Sequence, residues 1–474
     1  MELNVALTGN VQNVQFELNS PIQSLWVSAV MDVEAVTLLY LFNPCNRLCG
    51  SISLGMGRFI KEIYISESVC TMNGLRHALM QGTYTLLIVP AAVMGAAHIQ
   101  LQIETNVDKS YSEEYLQDMQ STPAAFEDIV EDSPRYYKGD FHGHTIFSDG
   151  HRTIQEAIEA LQKKDMDFMA FTEHNMMPFD LPKLPCLSLP SFELTLPIGH
   201  LNIHGVEDLG ILFGEFKTMN SYEAVWEGAV NCFGTACNLS LNHMFMEPWH
   251  FSYSGFDMSK LNTIEVICDP TYPSAAKANN QAVDFLDFLW QEGLIIFGIG
   301  GSDSHNKEDE LYDGAQEPSV YGDPATYVYC EGLSVRNIIE GIRKGHSYIT
   351  RYGNLIIEIC EGKYLPGDQI SEKVEFITYR VRLENIQIAC TGRFILNGET
   401  VWEAALSGDG KEAFYVLEPV DQPWWLRFGL YDTSGNVIAY VNPVYNRVNK
   451  CQNTVFKNLY DRFGERYDQR NIIR

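Results

Sequence analysis

Apolar positions fall into three regimes along the chain. Up to about residue 105, short β-rich segments are set off by turns: Val11 to Leu18, Ala35 to Phe42, Thr83 to Val89 and His98 to Glu104. In the last, Ile99, Leu101 and Ile103 alternate with Gln100 and Gln102, the period of a half-buried strand. The expectation is an N-terminal β-sandwich. From Tyr136 to about His346 strands alternate with helices. Thr153-Ile154-Gln155-Glu156 has the form of a capping box, and Ile154, Ile158 and Leu161 then mark one face of a helix ending near Lys164. Phe168 to Thr172 reads as a compact strand, Gln281 to Glu292 as a helix, Leu294 to Ile299 as a strand and Val335 to Arg343 as a last helix. Strand, polar cluster, helix is the order of a (β/α) barrel, in which chemistry collects at the C-terminal ends of strands. Beyond it the chain is β-rich again. Arg393 to Trp402 reads as a hairpin turning on Asn397-Gly398, and Leu426, Phe428 and Leu430 alternate along another strand.

The expected division is therefore an N-terminal β-sandwich with an acidic linker (1–134), a barrel (135–346) and a C-terminal β-sandwich with a helical tail (347–474). In the linker, residues 104–134, nine Asp or Glu face Lys109 as the sole basic residue, and a short helix is expected around Glu113 to Met119. The tail, 445–474, reverses the balance with seven Arg or Lys against three Asp or Glu. Its Val455, Leu459 and Phe463 recur at helical spacing, as in a helix packed on an acidic neighbour.

Charge and cysteine content narrow the classes. A net charge of −28 over 474 residues excludes nucleic acid as an obligate partner, which needs a basic footprint. It leaves room for a small anionic substrate, because bound divalent cations reverse the local sign. Eleven scattered cysteines are an odd number without a disulfide framework, consistent with reduced thiols in the cytoplasm. The N-terminus has no signal-peptide pattern. Residues 78–103 lack Asp, Glu, Lys and Arg, yet Gly82, Pro90 and Gly95 interrupt them, so no membrane span is expected.

The candidate chemistry starts at Asp140-Phe141-His142-Gly143-His144. In an extended chain, alternate residues share a face, so Asp140, His142 and His144 project together. Ten of the twelve histidines lie between His142 and His346, several where strands should end. Imidazole and carboxylate ligands suit zinc, manganese or iron. The candidates are His142, His144, Asp149, His174, Glu193, His200, His243, Asp303 and His305. His204 shares the strand face of His200 and Asn202 and competes for the ligand role, with His200 preferred. His151, His250 and His346 read as structural or surface residues. Gly298-Ile299-Gly300-Gly301 lacks the Lys-Ser/Thr of a phosphate loop, and close backbone packing under the site explains it as well.

These residues resemble the PHP (polymerase and histidinol phosphatase) superfamily of metal-dependent hydrolases. Its opening signature, D-x-H-x-H-T-x-x-S-D-G, stands from Asp140 to Gly150, and Thr172-Glu173-His174-Asn175, Glu193, Asn242-His243 and Asp303-Ser304-His305 follow in the family's order. Gly199-His200-Leu201-Asn202, the domain order and the closing 342–350 segment look most like the CehA/McbA-like branch. The resemblance covers about 210 residues and implies a distorted (β/α)7, TIM-barrel-like fold with two or three divalent ions (Zn, Mn or Fe). One ion would be held by His142, His144, Glu193 and Asp303, a second by Glu193, His200 and His243, and a third by Asp149, His174 and His305. Glu173 stands where Asp is commoner, and Met244 where Pro is usual.

The expected function is that of a phosphoesterase, phosphatase or phosphodiesterase, in which a metal-bridging hydroxide attacks phosphorus in a small, anionic substrate. Asp303 and His305 are the candidate catalytic residues, with Asp303 accepting or returning a proton. The rival on the same site is hydrolysis of a carboxyl or carbamate ester or amide, to which the apolar Met244, Phe245 and Trp249, with His250, lend weight as pocket-lining residues. A non-catalytic, metal-stabilised binding protein is the alternative from another class. Homo-oligomerisation is left open.

Overall fold

The computed structural model describes the chain apart from residues 8–10, 33–35, 56–59, 76–78, 93–95, 118–125, 177–183, 207–220, 372–373 and 474. Two four-stranded antiparallel sheets form the N-terminal sandwich. One has the order Glu2–Ala6, His98–Thr105, Ser24–Met31, Glu62–Ser66; the other Gln12–Leu18, Gly82–Ala92, Val36–Phe42, Leu48–Leu54. The alternation along His98–Thr105 sends Ile99, Leu101 and Ile103 inward, against Leu25, Val27, Leu39, Leu41 and Ile88. The second sheet is buried on both faces. Its Leu38, Tyr40, Phe42, Leu87 and Val89 belong to the apolar cluster of Trp226 and Phe233, which is why its strands read as near-continuous apolar runs.

The helix expected over Glu113 to Met119 is a single 3-10 turn, Glu113–Tyr115, and 118–119 lie outside the described residues. Ser112 gives it no side-chain cap. The chain then extends at Leu116, which bridges Thr71, and Gln117 is buried with its amide on Thr71 O.

In the middle of the chain the strands fall into two hydrogen-bonded groups. Arg135–Gly143 runs parallel to Phe168–Phe171 and antiparallel to Ala325–Cys330. A five-stranded sheet follows the order Ser191–Leu196, Gly199–His204, Asn238–Leu241, Thr263–Cys268, Phe297–Gly301, its last three strands parallel. Bridges Gly143↔Ser304 and His174↔Glu193 bring the strand ends of the two groups together. Among the described residues, seven regular β/α repeats are not seen. The region has four α-helices among the described residues: Ile154–Lys164, Tyr222–Phe233, Ala275–Gln291 and Val335–Arg343. The turn at Gly199 (φ 135°) joins two strands directly, leaving no length for a crossover helix.

The first helix carries the expected reciprocal capping box between Thr153 and Glu156. The third starts at Ala275, six residues before the expected Gln281, because Ala275, Ala278 and Ala282 continue its buried face. Gly301 allows two strands to meet under the candidate site, since a Cβ there would lie 2.3 Å from His142 Cβ.

Past residue 346 the larger sheet continues. Ser347–Thr350 pairs with Val437–Val441, which pairs with Trp424–Asp432, followed by Ala389–Leu396 and Glu399–Ser407. The middle of the chain and the C-terminal β region therefore share one ten-stranded sheet. The last two turn on Asn397 (φ 50°) and Gly398 (φ 80°), the left-handed pair that an Asn-Gly hairpin uses. A three-stranded sheet, Asn354–Ile359, Ile377–Glu384 and Glu412–Leu417, closes the core of Phe394, Trp424 and Phe428. The tail forms the helix Phe456–Ile473, which buries Phe456, Leu459 and Phe463 against Phe285 and Phe288 and pairs Arg462 and Arg466 with Glu292. Among the described residues no helix is long and apolar enough to cross a membrane.

Candidate metal centre

All nine sequence-derived candidates converge at the ends of these strands. His142 Nε2 and His144 Nε2 are 3.1 Å apart, and Asp303 Oδ1 lies 3.1 Å from each. Beside them, Asp149 Oδ1 is 3.3 Å from His174 Nε2 and 3.2 Å from His305 Nε2, and the His144 ring stacks on both imidazoles. Glu193 joins the groups. Its Oε1 is 3.0 Å from His200 Nδ1 and 3.5 Å from both His142 Nε2 and His243 Nε2, while Oε2 is 2.6 Å from His174 Nδ1.

Strand register separates His200 from His204. Thr195 pairs with His200 and Ser191 with His204, so the two histidines lie at opposite ends of the hairpin. His204 donates its Nε2–H to Phe141 O at 2.8 Å and accepts from the Asn238 amide at Nδ1. Burial pushes it down to about 3, in keeping with this neutral, doubly bonded ring. The side chains of His151, His250 and His346 pair with Glu310, Glu247 and Asp368 and not with the cluster, although His151 donates its backbone N–H to His305 O.

Asp140 and Glu173 hold the frame. Asp140 accepts the backbone N–H groups of His142, Ser302 and Gly322, tying the opening strand to the loops beyond Gly301. Burial raises its carboxyl to about 6 against the pull of those donors. Glu173 accepts from the N–H and hydroxyl of both Thr145 and Ser148, which fixes the turn between His144 and Asp149. Its burial, with Asp149 near, pushes it up to about 7 despite those donors.

Sequence reasoning missed Glu265. Wholly buried in the Thr263–Cys268 strand, it accepts His142 Nδ1–H at 2.7 Å through Oε1 and His243 N–H at 3.1 Å through Oε2. Its signal was a lone carboxylate inside an apolar run, where glutamate is almost never buried without a partner. Cys268 also lies beside His142 and Glu265 and approaches Asp303 Oδ2 at 3.9 Å.

The imidazoles are held from behind. His142 Nδ1 is fixed on Glu265, His144 Nδ1 on Ser148 Oγ, His174 Nδ1 on Thr195 Oγ1 and His305 Nδ1 on Asp303 O, leaving four Nε2 atoms turned inward. Besides Asp269 (φ 35°), three residues at strand ends take the left-handed backbone region at a cost of roughly 1–3 kcal/mol each: Asn175 (φ 54°), His243 (φ 26°) and Asp303 (φ 48°). Each has its N–H claimed by another residue of the centre: Asn175 by Glu193 O, His243 by Glu265 Oε2 and Asp303 by His142 O.

The electrostatics are those of buried carboxylates short of positive charge. Burial favours neutral forms throughout, yet His174, His200 and His142 hold Glu193 well below the usual carboxylate range. His142 stays well above its ordinary value because Asp303, Glu265 and Glu193 outweigh its burial. His144, crowded by His305 and His174 as well as buried, falls to about 3. Asp149 opposes burial at His305 and raises it to about 9.

The donor set fits divalent cations. Metal bonds of 2.0–2.2 Å in a tetrahedral shell place donors roughly 3.3 Å apart, close to the 3.1 Å triangle of His142, His144 and Asp303. Asp149 Oδ1 and Glu193 Oε2 are buried oxygens that receive no hydrogen bond of good geometry, with imidazole nitrogens 3.2 and 2.6 Å away. The Asp149 Oδ1 lone pairs, which face the inward Nε2 atoms of His174 and His305 across 3.3 and 3.2 Å, call for a cation between them.

No family model and no curated protein matches the chain. Among solved structures, the chain is similar to a two-domain protein containing a predicted PHP-like metal-dependent phosphoesterase from Bacteroides vulgatus. That match has a TM-score of 0.37 and 14% identity, and covers 68% of this chain and 99% of the other. Fainter likenesses are to a CARDB domain from Pyrococcus furiosus in complex with di-metal ions (TM-score 0.13, 14% identity, 20% and 90% covered) and to the Clostridium perfringens CspB protease (TM-score 0.11, 16% identity, 22% and 23% covered). At such scores these are distant likenesses, and the residue roles rest on the distances above.

Proposed function

We propose that this protein is a metal-dependent phosphoesterase of the PHP superfamily, in its CehA/McbA-like branch, acting on a small molecule. In this reading residues 135–346 are a distorted (β/α)7 barrel between β-sandwich domains at 1–134 and 347–474. The observation that carries it is the position of Glu193, within 3.7 Å of His142, His144, His174, His200 and His243, where one carboxylate is shared among neighbouring ligand groups. His142, His144, Glu193 and Asp303 would hold one divalent ion, Glu193, His200 and His243 a second, and Asp149, His174 and His305 a third. Bound zinc, manganese or iron supplies Lewis acidity, neutralising phosphoryl charge and acidifying water.

The chain's own part is proton handling and orientation. Asp303, whose side chain is 12% exposed, stands with the more exposed Asp149 between the buried ligands and water and would accept a proton during attack and return it afterwards. His305, 22% exposed, keeps Nδ1–H on Asp303 O, so its Nε2 would hold the third ion beside Asp149, on the more open side of the centre where the leaving group departs. The eleven cysteines are free thiols, which supports a reducing, cytoplasmic setting.

The test is elemental analysis of protein purified without chelator, with parallel assays of p-nitrophenyl phosphate, bis-p-nitrophenyl phosphate and p-nitrophenyl acetate. The expected result is two or three ions per chain and phosphoester turnover that a His142→Ala, His144→Ala variant abolishes. Turnover of the acetate alone moves the reading to a carbonyl hydrolase. Absence of metal and of turnover, even with added Mn²⁺ or Zn²⁺, overturns it.

A further inference from the structure

Three adjacent parallel strands each end in a residue at or beside the centre and then send out a loop that contributes one ring to an aromatic row. Asn238–Leu241 leads to His243 and then Trp249, Thr263–Cys268 to Asp269 and Tyr272, and Phe297–Gly301 to Asp303 and Tyr312. The three rings are in contact. Trp249 meets Tyr272 with centroids 5.5 Å apart at 62°, and Tyr272 meets Tyr312 at 5.2 Å and 81°. The row starts at the surface, where Trp249 is 42% exposed, and runs inward to Tyr312, which lies near Asp269 and Asp303.

Trp249 stays exposed against Tyr272, whereas its sequence neighbours take no part in the row. Met244 is buried in the core, Phe245 packs on Phe285, Tyr460 and Phe463, and His250 points to Glu247 in solvent. The exposed indole, with its edge against Tyr272 and Tyr272 against Tyr312, presents a flat apolar face on which a further ring can pack.

The charges of these loops show what the surface does not take. Residues 242–252 and 269–274 contain no Lys or Arg, and 305–324 contain Lys307 alone, which is bound to Glu156 Oε1 at 2.5 Å. A second phosphate or carboxylate would find no cation here. Glu308, Asp309 and Asp313 on the Tyr312 loop are exposed, where solvent and salt screen them, so they do not select a cation at the rings.

We infer that Trp249, Tyr272 and Tyr312 bind an aromatic ring on the leaving-group side of the ester, so that the substrate class is aryl or arylmethyl phosphoesters without a second anionic group. This inference rests on the phosphoesterase reading and adds the substrate class to it.

Aryl esters hydrolyse readily for electronic reasons alone, so the test uses non-hydrolysable probes. Benzylphosphonate, methylphosphonate and 2-(trimethylammonio)ethylphosphonate are titrated against the metal-loaded protein by calorimetry and by indole fluorescence. One aromatic contact contributes about twofold to tenfold in affinity. The expected result is benzylphosphonate binding tighter than methylphosphonate by about that factor, with a fluorescence change assigned to Trp249 by its loss in Trp249→Phe. The benzyl-to-methyl affinity ratio should be kept in Trp249→Phe and fall towards one in Trp249→Ala. Equal binding of the two phosphonates, or a ratio unchanged in Trp249→Ala, overturns the inference and leaves the hydrolase reading standing. Tightest binding of the trimethylammonio probe overturns the neutral-ring assignment. Failure of every phosphonate to bind fully loaded protein overturns the phosphoester reading and this inference with it.

Discussion

Glu265 and His142, both wholly buried, are joined by a 2.7 Å hydrogen bond from Nδ1, and the second Glu265 oxygen takes the backbone N–H of His243. One carboxylate thus sets the inward-facing tautomer of one imidazole and the strained backbone of another. Partners of this kind change metal affinity by about tenfold to hundredfold when altered. Glu265→Gln keeps the shape and removes the charge. Its affinity for Zn²⁺ or Mn²⁺, measured by chelator competition on protein with native far-UV circular dichroism, should fall by that factor. Affinity within about twofold of the parent would show that Glu265 fills space and no more.

Gly301 makes the complementary test of packing. A methyl group there would lie 2.3 Å from His142 Cβ and 2.9 Å from His142 N, so the opening strand must retreat from the third parallel strand. Overpacking of this kind costs roughly 1–3 kcal/mol. Gly301→Ala should lower the urea midpoint accordingly and weaken metal binding. Gly314→Ala, which meets no atom within 4 Å but has φ 84°, should cost stability without touching metal affinity. Equal metal affinity in the two variants would sink the packing argument.

These two residues also mark what the sequence could and could not reveal. The ligands were legible because they come as short local patterns: alternate residues of one strand for His142 and His144, and strand-end clusters for His174, His243, Asp303 and His305. Glu265 stands alone in an apolar strand, and its role depends on a partner 123 positions away. His200 and His204 share a face, and only the pairing of Glu193 with Asn202 decides which imidazole reaches the carboxylate. The alternating segments predicted two β regions, but not that Tyr348 pairs with Val441 and joins the C-terminal strands to the sheet of Arg135–Gly143. Periodicity reports burial of a strand, whereas its neighbour is chosen by contacts distant in sequence.

The pH dependence follows from His305. Against burial, Asp149 raises this imidazole from its ordinary value to about 9 in the metal-free protein. A base with a raised folded-state pKa contributes stability fully present below its unfolded value, near 6.5, and lost as pH rises through about 9. A metal ion must displace that proton, so affinity has the opposite slope. Thermal midpoints should therefore diverge between pH 6.5 and 9: falling for protein stripped with chelator and rising for protein in limiting Zn²⁺ or Mn²⁺. His305→Gln should flatten both slopes. Parallel slopes in the stripped and loaded samples would remove His305 from the ligand set.

The last prediction concerns the join between the barrel region and the C-terminal strands. Arg427, 2% exposed, makes a bidentate pair with Asp287 at 2.6 and 2.7 Å, linking the helix Ala275–Gln291 to the strand Trp424–Asp432. Its guanidinium also lies 4.9 Å from the Tyr440 ring centroid. Two opposed terms decide what the pair contributes. Desolvating both charges offsets most of their attraction, whereas removing one leaves the other buried without its counter-charge, at roughly 3–5 kcal/mol. Asp287→Ala should therefore lower the unfolding free energy by about that amount in a urea titration. The double variant Asp287→Leu, Arg427→Met should recover most of the loss, since apolar groups of similar volume need no counter-charge. If the double variant is instead less stable than Asp287→Ala, the pair is a net source of stability, and the coupling between helix and sheet is electrostatic.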